Sequence, residues 1–176
     1  MQTATLCFPI RRLPAPAVLL GLKRRGFGQQ KFTGFGGKVE RGEPVVAAAV
    51  RELAEEARIH TTPAALAPIG QIRFHFPAQP AWGQSVWLFL VEQWRGLPAS
   101  STEMTPVWFP FDGLPYQRMW DDAAHWLPKA LQGAQFTATI TFAADNETVR
   151  EVVFHVETNL DASRTSFSSF AESAAA

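Results

Sequence analysis

The residues with the most chemistry in this chain fall between Gly37 and Ile59, in the run GKVERGEPVVAAAVRELAEEARI. Glu43 stands six residues after Gly37, and eight residues further on come Arg51-Glu52-Leu53 and then Glu55-Glu56. At about 100° per residue on a helix, Glu52, Glu55 and Glu56 share an arc of roughly a third of the circumference. Three carboxylates so placed repel one another and raise each other's pKa unless positive charge sits among them. A hard divalent cation with oxygen ligands answers that need. Mg2+ suits best, with Mn2+ as its substitute, because it keeps waters and binds alongside substrate phosphates. Neither Cys nor His lies in the cluster, which argues against zinc. The plainer alternative is a solvated acidic helix face with Arg51 as local counter-charge.

The element that must present these groups is a helix over Pro44 to Ala57. Val46, Ala49, Val50, Leu53 and Ala57 fill the arc beside the glutamates, the face a core would take. Pro44 suits the first helical position, and Glu43 sits by the positive end of the helix. Ahead of it, Thr3 to Ile10 and Val18 to Leu22 read as strands either side of a Pro14-x-Pro16 turn. The loop Gly26-Phe27-Gly28 follows, then the glycine-rich stretch Phe32 to Val39. Beyond the helix, Ile69 to Phe76, Ser85 to Trp94 and Glu103 to Phe109 read as strands. Trp120 to Leu131 reads as a second amphipathic helix with Asp121 or Asp122 as N-cap. Phe136 to Phe142 and Val149 to Thr158 form a β-hairpin around Ala144-Asp145-Asn146. Strands interleaved with two helices imply an α/β class, a mixed sheet between helical layers.

A length of 176 residues suits one domain with an ample core. Sixteen basic and sixteen acidic residues cancel, so no global field recruits a nucleic acid polymer or a membrane. The single cysteine, Cys7, allows no internal disulfide and fits a reducing, cytoplasmic setting as a small buried hydrophobe. The N-terminus lacks a signal-peptide pattern, and no apolar stretch nears the ~18 residues that span a bilayer. His60, His75, His125 and His155 show no metal-ligand spacing, and no serine nucleophile elbow is present, so a covalent mechanism is not expected. From about Leu160 the chain turns Ser- and Ala-rich, which sets a domain at 1–158 and a mobile tail at 159–176. A monomer is expected.

The full spacing of the acidic motif resembles the Nudix hydrolases, matching the Nudix box at every position but one. Leu19 to Gly28, Gly34-Phe35-Gly36-Gly37-Lys38, Glu103-Met104 and Met119-Trp120 resemble its oxidised-purine nucleoside triphosphatase branch. The similarity covers roughly residues 1 to 158. It implies an α/β/α sandwich with a C-terminal hairpin, and hydrolysis of a modified purine nucleoside triphosphate to the monophosphate and pyrophosphate. Such a reaction keeps damaged bases out of DNA. Mg2+ held by Glu52, Glu55, Glu56 and Glu103, with a backbone oxygen of Gly36 or Gly37, would neutralise the phosphates and acidify a water. Glu56 is the favoured base and Glu103 the runner-up; Arg51 orients the glutamates, and Lys23 contacts phosphate or sugar. Glu43 is read as structural.

The resemblance also implies a base pocket in which Trp120 stacks on the purine and two adjacent aspartates read its edge. Here the run is Trp120-Asp121-Asp122, without the branch's one-residue spacer. In the register that Trp126 and Pro128 keep, Asp122 takes the first aspartate position and Ala123 the second, although a local shift could restore the pair. Thr33 stands where the branch has Asn, replacing a planar donor-acceptor with one short hydroxyl. Losing a bidentate base contact costs about 1–3 kcal/mol, so the preferred purine can differ. Phe27, Phe74 and Met104 would supply apolar walls, and Phe35, Gly36, Gly37 and Lys38 are expected among the substrate contacts. Arg58 occupies the box position that is normally Gly; either it takes the left-handed helix stop at a cost of roughly 1 kcal/mol, or the helix ends differently.

Two other functions stay open at this level. One is the same chemistry on another nucleoside-diphosphate-linked compound, such as a dinucleotide or nucleotide sugar. The other is a nucleotide- or protein-binding module with little turnover.

Overall fold

The computed structural model describes residues 1–155. Strands β1 (Gln2–Arg11), β2 (Ala17–Lys23) and β3 (Phe32–Thr33) precede helix α1 (Val45–Ala57). Strands β4 (Leu66–His75), β5 (Gln84–Val91) and β6 (Met104–Pro110) follow, then α2 (Ala123–Leu131) and the hairpin β7 (Phe136–Phe142) and β8 (Val149–His155). The strands form one mixed sheet ordered β3-β2-β1-β5-β4-β7-β8, with β6 also paired to β2. Only β1·β5 and β4·β7 are parallel. Residues 156–158 of the expected hairpin, and the tail at 159–176, lie outside the described residues.

The strand period of two divides β1 between two cores. Cys7 packs with Leu19, Phe35, Ala49, Leu53, Ala57 and Phe89 in the cluster beneath α1. Its neighbours Ala4, Phe8 and Ile10 join Trp126, Leu127 and Ala130 in the larger cluster beneath α2. The mixed α/β architecture expected from the sequence, helices over both faces of the sheet, is what these two clusters hold together. Among the described residues no helix is long and apolar enough to cross a membrane.

Several local expectations shift by a residue or two. Pro44 takes the N-cap position of α1 with extended angles, so the helix begins at Val45. The buried face of α1 is Ala48, Ala49, Leu53, Glu56 and Ala57, while Val46 and Val50 are only half-buried at its margin. Arg58 does adopt the left-handed stop, at φ 60° and ψ 24°, and its amide donates to the Ala54 carbonyl. The helix therefore ends where a glycine would end it. Before α2 the expected cap fails: Asp122 is in helical geometry and its side chain makes no capping bond.

The glycine-rich stretch is a strand for only two residues and then runs antiparallel along β1. The Cys7 amide donates to the Phe35 carbonyl and the Thr5 amide to the Gly37 carbonyl, at 2.6 and 2.9 Å. A Cβ on Gly36 would lie 2.0 Å from the Thr5 carbonyl oxygen, so the close approach requires glycine there. Gly70 carries the same constraint on the far side of the sheet. Its φ is +144°, the β4·β5 register breaks beside it, and a Cβ would stand 1.7 Å from the Phe136 oxygen. Gly70→Ala is expected to prise β4 from β7 and cost about 3 kcal/mol or more. Urea unfolding measures it, and a cost under about 1 kcal/mol would show that the pairing tolerates the methyl group.

Candidate active site

Helix α1 lies over β1 so that its acidic face meets the glycine stretch. Glu56 is 3% exposed, and its Oε2 accepts the Gly36 amide at 2.8 Å. The Lys23 ammonium, at the end of β2, is 3.6 Å from Glu56 Oε1 and 4.0 Å from Glu103 Oε2. Glu103 precedes β6, and β6 pairs with β2 so that Met104 stands opposite Lys23. Residues far apart in sequence, Lys23, Gly36, Glu56 and Glu103, are thus gathered by three strands and one helix. Burial pushes the Glu56 carboxyl up to about 7, with Glu52 and Glu103 adding to the rise and the Gly36 amide and Lys23 opposing it.

Arg51 is the hub of the outer part of the cluster. It donates from Nε and Nη2 to the two Glu43 oxygens at 2.8 and 2.9 Å, and from Nη1 to Glu52 Oε1 at 2.7 Å. A longer contact, 3.5 Å, reaches Glu55, and Nη2 also donates to the Lys38 carbonyl. The guanidinium bonds hold the Glu43 carboxyl down to about 2. Glu43 is therefore a clamp on Arg51, in keeping with its expected structural role. Glu55 is the most exposed of the helix glutamates, at 61% of its side chain.

The donors suit a hard cation: they are carboxylate oxygens with backbone oxygens beside them. A Cβ on Gly37 would meet Glu52 Oε1 at 2.5 Å, so glycine leaves the carboxylate room against the loop. Among the described residues no three acidic, imidazole or thiol groups stand together as a ready cage. Glu52 is held by Arg51, while Glu56 and Glu103 flank Lys23. The positive charge that crowded glutamates demand is supplied in this arrangement by three side chains, Lys23, Arg25 and Arg51.

Beside the cluster opens a cleft of about 490 Å³ whose walls are mostly aromatic and aliphatic. Lys23, Phe27, Thr33, Gly36, Gly37, Lys38, Phe74, Glu103, Met104, Trp120 and Asp122, all singled out in the sequence, line it. Phe27 lies stacked on Trp120, with ring centroids 4.9 Å apart and planes 25° from parallel. Lys31 sets its ammonium 4.9 Å from the centroid of the same indole.

Two expected contacts fall elsewhere. Phe35 is fully buried in the core under α1, because its neighbours Gly34 and Gly36 take the cleft side of the chain. Asp121 stays off the cleft, its carboxylate accepting the Val149 amide at 2.7 Å and tying the α2 loop to β8. Of the two aspartates only Asp122 is left in the wall, with Ala123 beside it. Asp122 accepts the Trp126 indole N–H at 2.7 Å, and burial pushes its carboxyl up to about 6. Cleft residues not picked out from sequence include Phe8, Phe76, Trp126 and Phe142. The alternation Ala4, Leu6, Phe8 along β1 carried the signal for Phe8.

Residues 2–130 match the NUDIX domain family model. The chain belongs to the Nudix family. It is 41% identical over 140 residues to an oxidized purine nucleoside triphosphate hydrolase of Danio rerio, covering 80% of this chain and 88% of that one. The corresponding Mus musculus protein is 37% identical over 149 residues, covering 85% and 93%. A MutT protein from Bacillus halodurans has the same fold, with a TM-score of 0.73 at 20% identity over 89% of this chain and 99% of its own. Within the Nudix box of this chain, the departure at Arg58 leaves the helix stop intact, so the glutamates keep their places on α1.

The raised Asp122 carboxyl has a measurable consequence. A folded-state value near 6 against an ordinary 3.8 means that the folded protein binds this proton more tightly. The resulting stability is fully present below about pH 4 and is lost as pH rises through 6. Asp122→Asn keeps an acceptor for Trp126 without the charge. Its stability relative to wild type is expected to improve by up to about 3 kcal/mol between pH 4 and pH 7.5, read by denaturant unfolding. A difference independent of pH would mean that Asp122 is ordinarily ionised.

Proposed function

We propose that this Nudix protein hydrolyses oxidised purine nucleoside triphosphates to the monophosphate and pyrophosphate, using Mg2+, with Mn2+ as a substitute. The observation that carries the reading is the adjoining of two unlike regions: the aromatic cleft closed by Trp120 and Asp122, and the polar floor of Glu56, Glu103, Gly36 and Lys23. A purine with its phosphate chain needs both, side by side. The named activities of the Danio rerio and Mus musculus relatives support the same reading.

A divalent cation at Glu52, Glu55, Glu56 and Glu103 would neutralise phosphate charge and acidify water. The protein supplies the rest. Arg51 holds Glu52 in place, and the Gly36 amide fixes the direction of Glu56. Glu56, buried at the floor of the cluster beside Lys23, takes the proton from the attacking water. Lys23 steadies the phosphate chain. At the other end Trp120 stacks on the purine, which requires Phe27 to leave the indole face it covers. Gly26 and Gly28, both at positive φ, flank Phe27 and allow that movement. Asp122 and Thr33 read the base edge. The Nudix domain spans 1–158, the last three of these residues lying beyond those described.

Product analysis tests the reaction class. Pyrophosphate and monophosphate in equal amounts, abolished by a chelator and restored by Mg2+, are expected from 8-oxo-dGTP. Release of orthophosphate would place the cleavage at a different bond and overturn the proposal.

A further inference from the structure

Three consecutive cations, Lys23, Arg24 and Arg25, leave the end of β2, and the structure uses them differently. Arg24 is tied to the loop before β6: its amide donates to the Glu103 carbonyl and its guanidinium to the Ser101 carbonyl. Lys23 is 21% exposed, wedged between Glu56 and Glu103. Arg25 remains 63% exposed and also lines the cleft. Its guanidinium touches only Glu103 Oε1, at 3.0 Å, and Thr102 Oγ1, at 3.5 Å, among the hydrogen bonds of its side chain. Gly26, the next residue, turns at φ +76° with open space where a side chain would stand, and its carbonyl accepts the Gln29 amide at 3.0 Å.

An ion pair this exposed contributes little to stability and exchanges readily. The guanidinium fork matches the oxygens of a phosphate better than it matches one carboxylate oxygen, and it brings two parallel donors. Glu103 meanwhile has a second cation, Lys23, on its other oxygen. We infer that Arg25 is a polyphosphate-binding residue: it leaves Glu103 to grip the outer phosphates of a nucleoside triphosphate, and so distinguishes triphosphate from monophosphate. The inference rests on the triphosphate reading above. The outer phosphates depart as pyrophosphate, so Arg25 also contributes to retention of that product. Its contact is with the substrate's leaving portion, away from the aromatic wall that takes the base.

The test is calorimetric titration in excess chelator, where nothing turns over, of wild type, Arg25→Ala, Arg25→Lys and Arg73→Ala. Arg73, exposed on β4, controls for loss of one positive charge. The probes are 8-oxo-dGTP, 8-oxo-dGMP and inorganic pyrophosphate. Arg25→Ala is expected to weaken the triphosphate and pyrophosphate by about 10- to 100-fold and leave the monophosphate within about twofold. Arg25→Lys should fall between, and Arg73→Ala should match wild type. A residue that merely holds Glu103 in place would leave pyrophosphate binding unchanged, and that result overturns the inference. Equal weakening of triphosphate and monophosphate overturns it too. Wild type that binds pyrophosphate but hydrolyses no purine triphosphate would count against the substrate reading instead, and the pyrophosphate arm still decides Arg25.

Discussion

Glu56→Gln is expected to lower turnover of a purine triphosphate by about a thousandfold, the middle of the range for loss of a general base. Nucleotide affinity should stay within severalfold of wild type. The substitution is close to isosteric, and the new amide oxygen can still accept the Gly36 N–H that Glu56 now accepts at 2.8 Å. What disappears is the capacity to take a proton from water. Folding should not suffer, because burial already disfavours the charged carboxylate at this 3% exposed position. The variant is therefore expected to melt at or above the wild-type temperature. Glu103→Gln is the necessary comparison: Glu103 sits across Lys23 from Glu56 and is the other carboxylate able to act as base. Unchanged turnover in Glu56→Gln, with a collapse in Glu103→Gln, would transfer the role to Glu103.

Removing Arg51 should have the next largest effect. Arg51→Ala leaves Glu43, Glu52 and Glu55 without the guanidinium they share. Glu52 then loses the 2.7 Å partner of its Oε1. Loss of a residue that orients a ligand typically costs about 10- to 100-fold, and the same range is expected here for kcat/KM. Arg51→Lys should rescue little, since an ammonium cannot span both Glu43 oxygens and still reach Glu52. Higher Mg2+ should recover part of the loss in Arg51→Ala but leave most of the loss in Glu56→Gln, because no metal concentration replaces the missing proton acceptor. That difference separates a residue that positions glutamates from one that moves a proton. Equal turnover in Arg51→Ala and wild type, across a Mg2+ titration, would reduce Arg51 to a surface counter-charge.

Much of this arrangement was legible in the chain itself because it is local. The glutamate spacing is a helical period, so Glu52, Glu55 and Glu56 fall together wherever α1 forms. The strands β7 and β8 announce themselves by alternation and a turn. The place of the helix stop was legible too, but not its form: Arg58 takes the left-handed angles that the sequence left as one of two endings. The misread positions depend on partners distant in sequence. Asp121 and Asp122 are adjacent and alike; an amide 28 residues downstream, that of Val149, draws one of them out of the cleft. Trp126 takes the other, and with it the capping role that a helix-start aspartate usually has. Phe35 carries no local sign that its neighbouring glycines, and not its ring, face the cleft. Arg25 carries no local sign of a partner either; the pairing of β6 with β2 brings Glu103 beside it.

The base pocket bears most on what the enzyme accepts. With Thr33 in place of a carboxamide and only Asp122 in the wall, it offers few fixed donors and acceptors and a large apolar surface. With the purine on Trp120 as proposed, stacking and exclusion of water would carry more of the discrimination than edge hydrogen bonds do.

The most direct measurement is kcat/KM with Mg2+ for 8-oxo-dGTP, 2-hydroxy-dATP and O6-methyl-dGTP beside unmodified dGTP and dATP, with ADP-ribose and NADH in the same panel. The account predicts that a modified purine triphosphate is hydrolysed well ahead of dGTP and dATP, with pyrophosphate as the second product. Turnover confined to ADP-ribose or NADH, or no turnover of any compound, would contradict it.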